Sequence, residues 1–136
     1  MFGLSSSAWE AYCRINGCRY ILWTADQIEQ LVRKHATAEV LHLYREVRYA
    51  VQRCDIGRLL ILYFYGGMYV DLDVFPHRDT YPQVTLGFAK MPSRAISQPP
   101  EIETEFIIAT RGNRILLLIL GHMSKATNEK SKIFIY

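Results

Sequence analysis

Nothing in this sequence looks like a cysteine framework, a membrane span or a run of like charge. Its three cysteines, Cys13, Cys18 and Cys54, are odd in number and lack C-x-x-C spacing, which argues against a disulfide scaffold and a structural zinc site. They are expected as inert thiols packed as small hydrophobes. The longest apolar runs, "LLILYFY" and "ILLLILG", fall short of the roughly 20 residues that span a bilayer, so both are expected as buried elements. Lys and Arg are scattered, and a net charge of +3 gives nucleic-acid binding no support. The opening "MFGLSSSAWEAY" has no basic stretch leading into a sustained apolar one, so no secretory signal is expected there. Repeats, low-complexity tracts and separating linkers are also missing. What remains is 136 residues, half hydrophobic and 21% charged, which suits one domain over 1–136.

The order of elements reads as α/β. Ser7 and Glu10 stand at capping-box spacing, so "SAWEAYCRI" is expected as a short helix ahead of the turn "NGC". "RYILW" reads as a buried strand closed by Trp23. Thr24 and Gln27 repeat the capping spacing before "ADQIEQLVRKH", with Ile28, Leu31 and Val32 on one face. Residues 37–65 read as helical with a break near Tyr44. Within them Arg48, Gln52, Asp55 and Arg58 form one polar stripe, and Leu59 to Tyr65 is apolar all round, the mark of a buried helix. Gly66 and Gly67 supply a reversal that side chains with a Cβ resist. Further on, "VTLGFAK" and "EFIIAT" read as strands, "HRDTYP" and "RGN" as turns, "MPSRAISQPPE" as a loop, "RILLLILGHMSKA" as a buried helix and "KIFIY" as an unfinished strand.

The stretch "YFYGGMYVDLDVFP" carries the chemistry. Read as a strand, it puts Tyr69, Asp71 and Asp73 on one face and Val70, Leu72 and Val74 on the core face. Two carboxylates about 7 Å apart repel by about 2 kcal/mol at an effective dielectric near 20. A divalent cation relieves this, and it supplies the charge that diphosphate oxygens require. By rise alone, Asp55 lies about 17 Å and Arg58 about 12 Å back from the glycine turn, and Asp71 about 17 Å forward, so a returning strand brings them level. The bland readings are a solvated edge for the two aspartates and a surface ion pair for Asp55 and Arg58. His35, His42, His77 and His122 have no ligand spacing and read as ordinary surface or core histidines. Tyr63, Tyr65 and Tyr69 read as packing, and Glu101, Glu103 and Glu105 as a solvated face.

The span "RCDIGRLLILYFYGGMYVDLDVFP", with "RYILWTADQIEQLV" upstream, resembles the D-x-D sugar-binding glycosyltransferases of family 32. That family includes fungal mannosyltransferases and is related to the glucosylating domain of large clostridial toxins. The resemblance runs from about Trp9 to Pro76 and loosely through "ETEFIIATRGNRILLLIL". It implies a GT-A fold, a Rossmann-like α/β sandwich incomplete at both ends here. It also implies transfer of a sugar with retention of configuration, from a UDP- or GDP-sugar to a glycan, lipid or protein acceptor, with Mn²⁺ or Mg²⁺ as cofactor. By position, Asp55 and Arg58 would contact the donor sugar. Asp71 would reach ribose or sugar hydroxyls and the metal, and Asp73 would bind the metal. Thr104 and Glu105 stand where relatives often place Asn. The resemblance implies a Golgi location for a full-length eukaryotic relative and a cytoplasmic one for a bacterial relative. The alternatives are a shortened, non-catalytic relative that keeps the fold and donor binding, and a phosphohydrolase of the haloacid dehalogenase type, whose nucleophile motif "YVDLDV" also resembles.

Overall fold

The computed structural model describes residues 2–77, 81–90 and 102–128. The expected loop at 91–101, the strand "KIFIY", residues 78–80 of the "HRDTYP" turn and Glu101 lie outside them. The described elements are α1 (Phe2–Ile15), α2 (Ala25–His35), α3 (Ala38–Glu46), α4 (Ala50–Tyr65), β1 (Gly67–Val70), β2 (Leu86–Lys90), β3 (Ile102–Ala109) and α5 (Arg114–Asn128). Helices and a three-stranded sheet in the order β1-β3-β2 make this an α/β chain, as expected. Packing divides it into two units. One runs through Leu22 and resumes from Met68 to Ile108; the other takes Trp23 to Gly67 and resumes at Ala109.

In the first unit, α1 starts earlier than the Ser7 cap predicts. Its Ser5 is fully buried, and that hydroxyl donates to the Val74 carbonyl at 2.8 Å, a tertiary bond made from the first turns of the helix. The helix ends as "NGC" suggests. Gly17 turns left-handed at φ 64°, and the Cys18 N–H reaches back to the Cys13 carbonyl at 2.9 Å, the six-to-one bond of a Schellman cap. This cap places Cys13 and Cys18 side by side. Both are half-buried, but Cys54 is exposed on α4, so the expectation of buried thiols fails there. The core of this unit includes Trp9 against Tyr12, edge to face with ring centroids 5.2 Å apart, and Ile107 and Ile108 of β3.

"RYILW" is not a strand. Residues 18–24 have no assigned helix or strand, Ile21 and Leu22 are exposed, and Trp23 is half-buried. A strand needs a neighbour to accept its backbone bonds, and among the described residues none pairs with this run.

The second unit is helical. α2 opens on the predicted capping box: the Thr24 hydroxyl accepts from the Gln27 N–H at 3.3 Å, and the Gln27 carbonyl oxygen accepts from the Thr24 N–H at 2.9 Å. The break between α3 and α4 comes at residues 47–49, three past Tyr44, with Val47 buried as the C-cap of α3. α4 packs on α2, α3 and α5, which is why Leu59, Leu60, Ile61 and Leu62 are all buried. Gly57 marks the closest approach to α2, because a Cβ there would meet Ile28 Cγ2 at 2.5 Å. Tyr65 ends the helix exposed. Gly66 then reverses the chain at φ 67°, ψ −169°, a region open to glycine alone; its Cβ would lie 2.7 Å from the Arg111 backbone nitrogen. α5 is buried on one side only: Leu116 and Leu120 are fully enclosed, whereas Ile115 and Leu118 face water. The expectation of a buried helix thus holds for one side of it. No helix among the described residues is long and apolar enough to cross a membrane.

Candidate functional site

β1 ends at Val70, one residue before the aspartate pair. The Asp71 N–H still donates to the Glu105 carbonyl of β3 at 2.8 Å, and the Val74 N–H then closes on the Asp71 carbonyl at 3.1 Å. Residues 71–74 therefore form a tight turn, not a continued strand. Period-two alternation stops at Asp71, so Asp73 is not placed by strand geometry, and Leu72 is exposed at 38% where a core residue was expected. The turn orients Asp73, which is exposed, and Asp71, which is half-buried.

Two side chains of α1 fix this turn from the other side. Ser5 Oγ and Trp9 Nε1 both donate to the Val74 carbonyl, at 2.8 and 2.7 Å, so both lone pairs of that oxygen are used. Neither donor is suggested by local sequence, since they stand 69 and 65 residues away.

β3 brings further carboxylates to the pair. Glu105 is held above the usual carboxylate range by partial withdrawal from water, and then by the negative charges of Glu103, Asp73 and Asp71. The expectation of a harmless solvated face is thus replaced by an acidic group that includes both aspartates. The repulsion expected between Asp71 and Asp73 is felt at a third residue. The missed signal was pairing: Glu105 neighbours Asp71 only because β1 and β3 are adjacent.

In the helical unit, Asp55 and Arg58 of α4 form an ion pair, Arg58 Nη2 to Asp55 Oδ1 at 3.1 Å, with side chains 5% and 19% exposed. This is no surface pair. Burial strips water from the guanidinium, and the carboxylate one turn back supplies the compensating charge. Gln52 of the same stripe is buried as well, its carbonyl oxygen accepting the Tyr49 N–H at 3.1 Å. Arg48, the fourth member, lies ahead of α4 and is exposed. The structure thus groups Asp55 with Arg58, and Asp71 with Asp73 and Glu105. All four histidines are exposed, in keeping with ordinary surface residues. Trp23 and Tyr65 pack ring against ring at 5.5 Å.

The acidic group can be tested for a cation by its donor set. Hard oxygen donors of one sign, drawn close enough to raise a carboxyl pKa, are what Mg²⁺ or Mn²⁺ accepts. Among the described residues, no three His, Cys, Asp or Glu side chains are arranged to hold an ion by themselves. Mg²⁺ is commonly bound by one or two carboxylates with water and ligand oxygens in its other positions, and Asp71 and Asp73 are donors of that type. On that ground the residues fit.

The glycosyltransferase sugar-binding region containing a DXD motif matches residues 6–91. Inositol phosphoceramide mannosyltransferase 1 of Schizosaccharomyces pombe is 30% identical over 112 residues, which are 81% of this chain and 33% of that protein. Mannosyl phosphorylinositol ceramide synthase CSH1 of Saccharomyces cerevisiae is 41% identical over 54 residues, 40% of this chain and 14% of the relative. An uncharacterized glycosyltransferase, L373, of Acanthamoeba polyphaga mimivirus is 29% identical over 72 residues, 53% of this chain and 29% of its own. The chain spans a third or less of the length of these relatives. No solved structure matches it.

Proposed function

The chain belongs to the glycosyltransferases whose sugar-binding region contains a DXD motif, and on that premise we propose that it binds a nucleotide sugar through a divalent cation held at the 71–74 turn. The observation that carries this reading is the anchored turn itself. Asp71 and Asp73 are presented beside Glu105, on a loop whose next carbonyl is pinned by Ser5 and Trp9.

Each residue then has a role. Asp73, with Asp71, would hold the cation, and Asp71 would also reach hydroxyls of the ribose or sugar. When bound, the cation supplies Lewis acidity that neutralises charge growing on the departing nucleoside diphosphate. Asp55 and Arg58 would orient the donor sugar. Their mutual ion pair fixes the guanidinium before the donor arrives, so little side-chain freedom is lost on binding. Transfer with retention of configuration, through a GT-A fold, completes the proposal. The names of the fungal relatives support a mannosyl donor and an acceptor bearing inositol phosphate on ceramide. The phosphohydrolase reading of "YVDLDV" drops out, because the matched family accounts for the same two aspartates.

Calorimetric titration of UDP- and GDP-sugars into the chain, with and without Mn²⁺, tests this. Binding should require the metal and vanish in Asp73→Ala. Metal-independent binding, or unchanged affinity in that variant, would overturn it. Metal-dependent binding with no sugar transferred to an inositol phosphoceramide would identify a non-catalytic relative that keeps the donor site.

A further inference from the structure

The helical unit holds a hollow of about 150 Å³, lined by Glu29 and Arg33 of α2, Leu41, Tyr44 and Arg45 of α3, and Arg53 of α4. It holds several times the roughly 30 Å³ share of one water, room for a small tetrahedral group. Its charges do not balance. Arg33 is matched by Glu29 one turn back, through Nε at 2.9 Å and Nη2 at 2.5 Å. Among the described residues, Arg45 and Arg53 have no carboxylate in salt-bridge range; Arg53 lies over the Tyr44 ring, 5.8 Å from its centroid. Two guanidinium groups are thus left facing one cavity.

Tyr44 supplies an independent observation. The residue is nine-tenths buried and lines the hollow beside Arg45 and Arg53. Burial first, and then the charge of Glu29, raises its pKa against the opposing pull of Arg53. The phenol therefore keeps its proton at neutral pH and stands ready to donate. Among the described residues the Tyr44 hydroxyl is not one of the enclosed side-chain polar atoms that lack a partner, so it is not sealed in the core and can be reached from the hollow. The flanking arginines select an anion, and their planar forks suit the oxygens of a phosphate.

We propose that this hollow binds the phosphate group of a mono- or diester, with Arg45 and Arg53 pairing its charge and the Tyr44 hydroxyl donating to one oxygen. The site uses none of the residues assigned to the donor, so it stands or falls separately from that reading. Its phosphate has two possible sources, a soluble phosphate ester or a phospholipid headgroup.

The test uses the whole chain and three variants: Arg45→Gln/Arg53→Gln, which alters only exposed positions, Tyr44→Phe, and Asp73→Ala as a control. Inorganic phosphate and methyl phosphate are titrated calorimetrically, and the chain is floated with vesicles of phosphatidylinositol in phosphatidylcholine or of phosphatidylcholine alone. Saturable binding in either arm is expected, weakened about tenfold or more by the double arginine change, consistent with loss of two charge-assisted bonds. Tyr44→Phe should weaken it a few-fold, and Asp73→Ala should leave it unchanged. Binding of the small ions without vesicle retention assigns a soluble phosphate; retention specific to phosphatidylinositol assigns the headgroup. Binding in neither arm, or binding that survives the double arginine change, would overturn the proposal.

Discussion

Replacing Asp55 with alanine separates the two roles proposed for the α4 ion pair. Arg58 is 5% exposed and sits 3.1 Å from Asp55, so the change leaves a positive charge in the interior with its carboxylate removed. Breaking a buried pair in this way costs about 3–5 kcal/mol. Two effects reduce it here. Asp55 keeps 19% exposure, so water partly re-enters beside Arg58, and alanine is the better helix former by about 0.5 kcal/mol. The net expectation is a loss of roughly 2–4 kcal/mol, a large part of the 5–15 kcal/mol that holds an ordinary domain folded. Urea denaturation followed by far-ultraviolet circular dichroism would read it as a lower midpoint at unchanged slope. The companion variant Asp55→Leu/Arg58→Met replaces the pair with apolar groups of similar size and should recover most of the loss, while abolishing binding of the nucleotide sugar. An Asp55→Ala midpoint within about 0.5 kcal/mol of the parent would refute the buried-charge argument. Full donor affinity in the double variant would refute the pair's role in the site.

Other outcomes follow from the geometry. Gly66→Ala combines positive φ with a Cβ 2.7 Å from the Arg111 nitrogen and should cost about 1–3 kcal/mol or more, visible as a lowered melting temperature. Trp9→Phe keeps most of the ring but loses the bond to the Val74 carbonyl, about 1 kcal/mol, and should weaken Mn²⁺-dependent donor binding a few-fold. Adding Ser5→Ala removes the second donor, and a double-mutant cycle should show the pair costing more than the sum of the singles. With iodoacetamide near pH 8, mass spectrometry should find exposed Cys54 labelled well before Cys13, whose pKa is raised to about 11 by burial and by Cys18. The thiolate is the nucleophile, so labelling of Cys13 should climb with pH until about 11.

Features that depend on neighbours in sequence were legible. The Thr24–Gln27 capping box, the glycine reversal after α4 and the Asn16–Gly17 stop of α1 all act within a few residues, so spacing alone predicts them. "RYILW" has the composition of a strand, but composition does not supply the partner whose backbone completes a ladder, and the run stays unpaired with Ile21 and Leu22 in water. "RILLLILGHMSKA" reads as a buried helix, yet burial is set by which sides neighbours cover, and Leu118 is uncovered at 62%. The aspartate pair was visible at once. Its setting was not: the strand stops at Val70 because Val74 folds back onto Asp71, and no periodicity announces that.

The order of residues alone therefore determined which groups are available: two aspartates one apart, an acid and a base one helical turn apart, and glycines where the backbone must reverse. Tertiary structure alone decided what surrounds them. It brought Glu105 up to the aspartates, clamped the Val74 carbonyl from α1, and buried Arg58 deeply enough to depend on Asp55. The reason is range: caps and turns are settled by bonds a few residues long, whereas desolvation and charge crowding depend on distance in space, which the chain acquires only by folding.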